Sequence, residues 1–274
     1  MFILESYPIA VIFCIITMLC WGSWANTQKM ATKSWPFQLF YWDYALGILI
    51  ISFFIAMTMG SIGDHGRSFF PDLIQASPYA LFSALIGGII FNLANILLVA
   101  AIDIAGMAIA FPLAIGLALV LGVIVNYVET PIGNPILIFL GVILVALAII
   151  CTAIAYKKTN NQKSESTTKG IVIAIISGIL MGFFYRFVAD SIASNMYHPQ
   201  AGLMTAYSSS FIFAIGIFVS NFFINGYMIK FPITGKKLNF KDYFTQGSPW
   251  LHFIGILGGV IWGIGSIVNP KKLN

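Results

Sequence analysis

The chain has 274 residues, of which 59% are hydrophobic and only 8% charged, against about 25% charged in an ordinary soluble domain. That excludes a soluble globular protein, and because one crossing needs about 20 apolar residues, the length holds roughly eight to ten spans joined by short connections. The net charge of +5 sits mainly in the polar gaps between apolar runs, a topology signal and not the footprint of a nucleic-acid partner.

The expected fold is therefore all-α, a polytopic helical membrane protein. In chain order the apolar windows predict eight spans, near 7–26, 39–60, 78–101, 106–126, 135–156, 170–192, 202–224 and 250–268. The first window is preceded by Glu5, with no basic n-region and no small-residue cleavage site after it, so it reads as a span and not as a secretory signal.

Basic residues favour one set of loops. Lys29, Lys33, Lys157, Lys158, Lys163, Lys169, Lys230, Lys236, Lys237 and Lys241 fall in the first, fifth and seventh loops, and Arg67, Lys271 and Lys272 on the opposite side. The positive-inside rule then places the first set in the cytoplasm and both termini outside, in a cell (cytoplasmic) membrane.

Residues 157–169 lack apolar side chains and read as a cytoplasmic linker. It separates residues 1–156, a first five-helix repeat, from 170–274, a second repeat with three helices. The division is supported by the alignment of Leu85-Ile-Gly-Gly-Ile-Ile-Phe-Asn-Leu-Ala-Asn95 with Ile256-Leu-Gly-Gly-Val-Ile-Trp-Gly-Ile-Gly-Ser266. Copies five spans apart cross the membrane in opposite senses, as in inverted-repeat carriers.

Several side chains stand out from the apolar background. Trp21 and Trp24 end the first span in Trp-Gly-Ser-Trp; they suit either an interfacial aromatic belt or a stacking surface for a planar or sugar-like solute. Asp43, near the start of the second span, is a candidate for proton coupling, although a carboxylate at a span end is ordinarily solvated. Asn92 and Asn95 share one face of the third span and must turn from lipid, either joining helices or binding a neutral polar solute.

Pro112 interrupts the fourth span and frees a backbone carbonyl one turn earlier, either for packing or beside a solute path. Arg186 and Asp190 lie at i and i+4 in the sixth span, where they are expected to pair along the helix and to mark a functional position. Gly178 with Gly182, and the series Gly255, Gly259 and Gly263, are expected to be packing faces.

Cys14, Cys20 and Cys151 lie in apolar runs without a CxxC pair and read as packing residues. His65, His198 and His252 show no metalloprotease or triad pattern, and there is no phosphate-binding glycine loop. No enzyme, cofactor or metal site is expected.

Trp21-Gly-Ser-Trp24, Asp43-Tyr44, Gly87-Gly88 through Asn95, Asp103, Gly106, Pro112 to Gly116 and Asn126-Tyr127 with Glu129 occur in an order that resembles the ureide permease family. That family is grouped with the glucose/ribose porters in the drug/metabolite transporter superfamily. The resemblance implies a ten-span, five-plus-five carrier moving ureides and nucleobases, or sugars in the porters. Its partners would be a small solute, the bilayer and a coupling proton or sodium ion, with a homodimer as an assembly to consider.

Two departures accompany the resemblance. The central loop lacks the nucleotide-binding-like motif of plant members, so no ATP role carries over, and the last two family spans have no counterpart before Asn274. A secondary carrier is the first expectation, with Trp24, Asn92, Asn95 and Pro112 lining the site. A truncated, non-transporting remnant or a regulatory or structural membrane subunit is the second.

Overall fold

The computed structural model describes residues 1–3, 6–32, 34–129, 131–159 and 165–267. Among these residues the chain forms ten helices: α1 (Tyr7–Ala31), α2 (Phe37–Met57), α3 (Phe69–Gln75), α4 (Pro78–Ala105), α5 (Met107–Glu129), α6 (Pro135–Thr159), α7 (Glu165–Asp190), α8 (Ala206–Lys230), α9 (Phe240–Gln246) and α10 (Pro249–Ile267).

Eight of the ten are long and apolar enough to cross a membrane, which is the expected architecture. A helix satisfies its own backbone, the requirement for any segment inside hydrocarbon. Proline sits at the first position of α4, α6 and α10, where its fixed φ suits the first turn and its missing N–H costs nothing. Between α4 and α5 the break is Gly106, at φ +84°, a left-handed conformation that glycine adopts without strain.

The sequence reading missed two short helices, α3 and α9. Their mixed polar and apolar composition carries no span signal, and seven residues are too few for helical periodicity to register. Helices α6 and α7 also extend into the expected linker 157–169, of which residues 160–164 lie outside the described residues, as do Lys271, Lys272 and the rest of the tail.

Two compact units make up the chain. The first combines Met1–Ile89, Phe187–Pro232 and Lys237–Asn274; the second combines Ile90–Arg186 with Ile233–Lys236.

In the first unit, α10 packs most extensively on α2, and α2 also packs on α8. Glycine permits these approaches. A Cβ on Gly47 would collide with the Ile256 carbonyl, and one on Gly259 with the Tyr44 carbonyl; the same reciprocal clash joins Gly88 to Phe213 and Gly216 to Leu85. Without side chains the backbones touch, and dispersion replaces the hydrophobic effect as the cohesive term.

In the second unit, the expected Gly178/Gly182 packing face lies against α5, where added Cβ atoms would meet the Ala114 carbonyl at 2.7 Å and the Leu121 side chain at 2.7 Å. Ser177 donates to the Ala94 carbonyl at 2.7 Å. Exposed Ile136, Leu137, Leu140 and Leu144 give α6 an apolar outer surface suited to lipid.

Candidate solute-binding and coupling site

In the first unit the starts of α2 and α10, the end of α8 and the short α9 share one end. Asp43, in the second turn of α2, is 1% exposed, so the expectation of a solvated span-end carboxylate is corrected. Two elements enclose it. Tyr243 of α9 donates its hydroxyl to Oδ1, and Nδ1 of His252, in the first turn of α10, lies 2.8 Å from Oδ2.

Aromatic contacts hold this trio together. Trp35 meets the His252 ring edge-on at 4.9 Å and lies 5.9 Å from the Tyr243 ring, while Tyr243 and His252 are 4.7 Å apart. Gly255 admits the carboxylate, since a Cβ there would come within 2.5 Å of Asp43 Cβ. Tyr243, outside the spans, has its pKa raised by burial first and then by the hydrogen bond and charge of Asp43. It therefore remains a proton donor to the carboxylate.

A second polar cluster closes the opposite end of the unit, where α3 meets the start of α8. Asp72 is fully buried; it accepts from Arg67 Nε at 3.0 Å and from the Thr205 backbone N–H at 2.7 Å. Arg67 also donates to the carbonyls of Gln200 and Leu203, at 3.0 and 2.8 Å. Gln75 clasps the same loop, donating to Leu203 O at 2.9 Å and accepting from Gly202 N–H at 2.8 Å.

The two sequence-selected tryptophans fall in different aromatic groups. Trp24 is buried and packs on Tyr44 at 4.9 Å, which removes it from any interfacial belt. Trp21 stacks on Trp262 at 6.1 Å and donates its indole N–H to the Trp262 carbonyl at 3.3 Å.

In the second unit, Asn92 and Asn95 of α4 are 0% and 1% exposed, turned from lipid as their chemistry demands. Pro112 is half-buried within a continuous α5. Arg186 forms its ion pair with Glu129 at the end of α5, where the i,i+4 pair with Asp190 was expected. Asp190 belongs to the first unit.

Sequence reasoning missed Tyr243, His252, Trp35 and Asp72. The topology held a usable signal for one pair: alternate spans start at the same membrane face, which puts Asp43 and His252 at one level. No group of three or more metal-ligating side chains occurs among the described residues.

The sequence model of the ureide permease family matches residues 40–169, from the turn before Asp43 to the start of α7. Ureide permease 1 of Arabidopsis thaliana is 24% identical over 320 aligned residues, covering 94% of this chain and 82% of that protein. Ureide permease 3 of the same plant is 22% identical, over 94% of this chain and 84% of its own length. No solved structure matches the chain. Over nearly its whole length this chain is similar to the ureide permeases of Arabidopsis thaliana, and its eight span-length helices are those of a multi-pass membrane protein.

Proposed function

We propose that the chain is a proton-coupled secondary carrier for a small neutral polar solute such as a ureide, a nucleobase or a sugar, with Asp43 as the coupling group. The observation that carries this reading is the burial of Asp43 between Tyr243 and His252. An ionisable group enclosed by titratable partners in an apolar bundle is expensive and marks a proton path or ion path. As a carboxylate Asp43 accepts from both neighbours; once protonated it gives up acceptor capacity, and the hold of α9 and α10 on α2 weakens. Proton occupancy is thereby tied to opening at that end.

The distribution of basic residues supports a cytoplasmic Asp43 end and an external Asp72 end. An inverted repeat relating the two ends is supported beyond the Gly-Gly segment. Residues 69–91 align without gaps on 240–262, with Phe69, Gln75, Ser77, Pro78, Phe82, Gly87, Gly88 and Ile90 identical to their counterparts. Ala45-Leu-Gly47-Ile48 likewise matches Ala214-Ile-Gly216-Ile217.

In this correspondence α3 answers to α9, and the α2/α10 crossing at Gly47 and Gly259 answers to the α8/α4 crossing at Gly216 and Gly88. Each half thus contributes a short helix that latches the start of a crossing helix, one latch at each end. Alternate release of two such latches is what a carrier requires. In cells expressing the chain, labelled uracil, allantoin and glucose are the probes. Accumulation of one of them that a protonophore abolishes and sodium removal leaves intact supports the reading; accumulation indifferent to the protonophore sinks the coupling assignment.

A further inference from the structure

The buried face of α8 carries a polar group that neither latch uses. Asn221 is 0% exposed, and neither its Nδ2 nor its Oδ1 has a hydrogen-bond partner among the described residues. It lies nine residues before Lys230, about 14 Å of helix from that end, and so within the hydrocarbon depth. One turn on, Asn225 donates to the Gln38 carbonyl of α2 at 2.8 Å, while its Oδ1 is also unpartnered among the described residues.

A buried amide with nothing to bond destabilises the fold, and a leucine at that position would avoid the cost. An orphaned donor and acceptor side by side suit a ligand that brings both. The edge that matches a primary amide is another amide edge, N–H beside C=O, which closes two antiparallel hydrogen bonds with Asn Oδ1 and Nδ2. Lactams, imides and cyclic ureas present such an edge; a sugar hydroxyl makes single, rotatable bonds and gains no paired registration.

Resting on the carrier reading above, we infer that Asn221 is a solute-binding and specificity-determining residue that reads the cis-amide edge of a planar ring, with Asn225 Oδ1 as an additional acceptor one turn away. A site built around a hydrogen-bonding edge discriminates sharply against analogues lacking it, because the protein group is then left unpaired.

The test is equilibrium binding of labelled uracil to the purified full chain, with hydantoin and 1,3-dimethylhydantoin as competitors, in wild type, Asn221→Gln, Asn221→Ala and Asn221→Leu. Wild type is expected to prefer hydantoin over its dimethyl derivative by about tenfold or more, the Ala and Leu variants to lose that preference, and Gln to retain part of it. Ligand-free Asn221→Leu is expected to unfold at a higher temperature than wild type, the reverse of what a helix-joining amide would give.

Unchanged preference in the Leu variant, a lowered unfolding temperature in it, or no binding of uracil by wild type would each overturn the assignment. Transport by wild type alongside any of these leaves the carrier reading standing. Binding that depends on Asn221 without transport sinks the carrier reading alone.

Discussion

Asp43 and His252, 209 residues apart in sequence, face each other across a 2.8 Å contact between α2 and α10, with Tyr243 completing the enclosure. The coupling role assigned to this contact sets the first expectation. Asp43→Asn keeps the shape and an acceptor but removes the titrating group. Proton-driven accumulation should fall at least about tenfold while exchange of internal for external solute persists, since coupling groups act on driving force and not on solute binding. Equal loss of both activities would move Asp43 from coupling to structure.

Tyr243→Phe removes one hydrogen bond to a buried carboxylate and keeps the ring against Trp35 and His252. Bonds to charged groups are worth about 1.5–3 kcal/mol, and the half-exposure of Tyr243 puts the loss near the lower figure. Because the folded-state pKa of Tyr243 is raised above its ordinary value of 10.0, the stability it contributes is present below that pH and declines as pH rises past it, the unfolded chain losing its proton first. Thermal unfolding in detergent should show wild type losing stability above about pH 10 more steeply than the Phe variant; parallel curves would contradict the assignment.

Glycine positions differ in what they tolerate. Gly259→Ala drives a methyl into the Tyr44 carbonyl and forces α10 off α2, at about 1–3 kcal/mol or more. Gly22 has nothing within 4 Å of an added Cβ, so Gly22→Ala should be neutral or stabilising by up to about 1 kcal/mol. Unfolding midpoints of the two variants, measured side by side, give opposite signs if the crossing is as close as described.

The ion pairs separate in the same way. Asp72→Ala leaves Arg67 Nε and the Thr205 N–H without their acceptor, a loss toward the low end of about 3–5 kcal/mol because Arg67 keeps some solvent and two backbone carbonyls. Glu129→Ala breaks a pair exposed by 44% and 45% and should change stability by less than about 0.5 kcal/mol. A larger effect at Glu129 than at Asp72 would reverse the ranking.

The span-forming segments were legible in the sequence because hydrocarbon imposes length and composition together. Helix ends were less so: α1 runs through Gln28 to Ala31 because buried Gln28 and Thr27 face protein, which hydropathy reads as the end of a span. Asp43 was selected by charge alone. Its partners were invisible since Tyr243 lies on a seven-residue helix with no periodic signature, and His252 looks ordinary until the topology sets it beside Asp43. Asn221 follows Ser220 and precedes Asn225 in α8, and it is set apart only because both of its buried amide atoms lack a partner among the described residues.

Solute counterflow tests the central claim most directly. The purified chain is reconstituted in vesicles preloaded with unlabelled uracil, allantoin or glucose, and the matching labelled solute is added outside. A carrier gives a transient internal excess of label that protein-free vesicles do not show, and Asp43→Asn should preserve it. No excess with any of the three, from protein that is folded and inserted, would contradict the account.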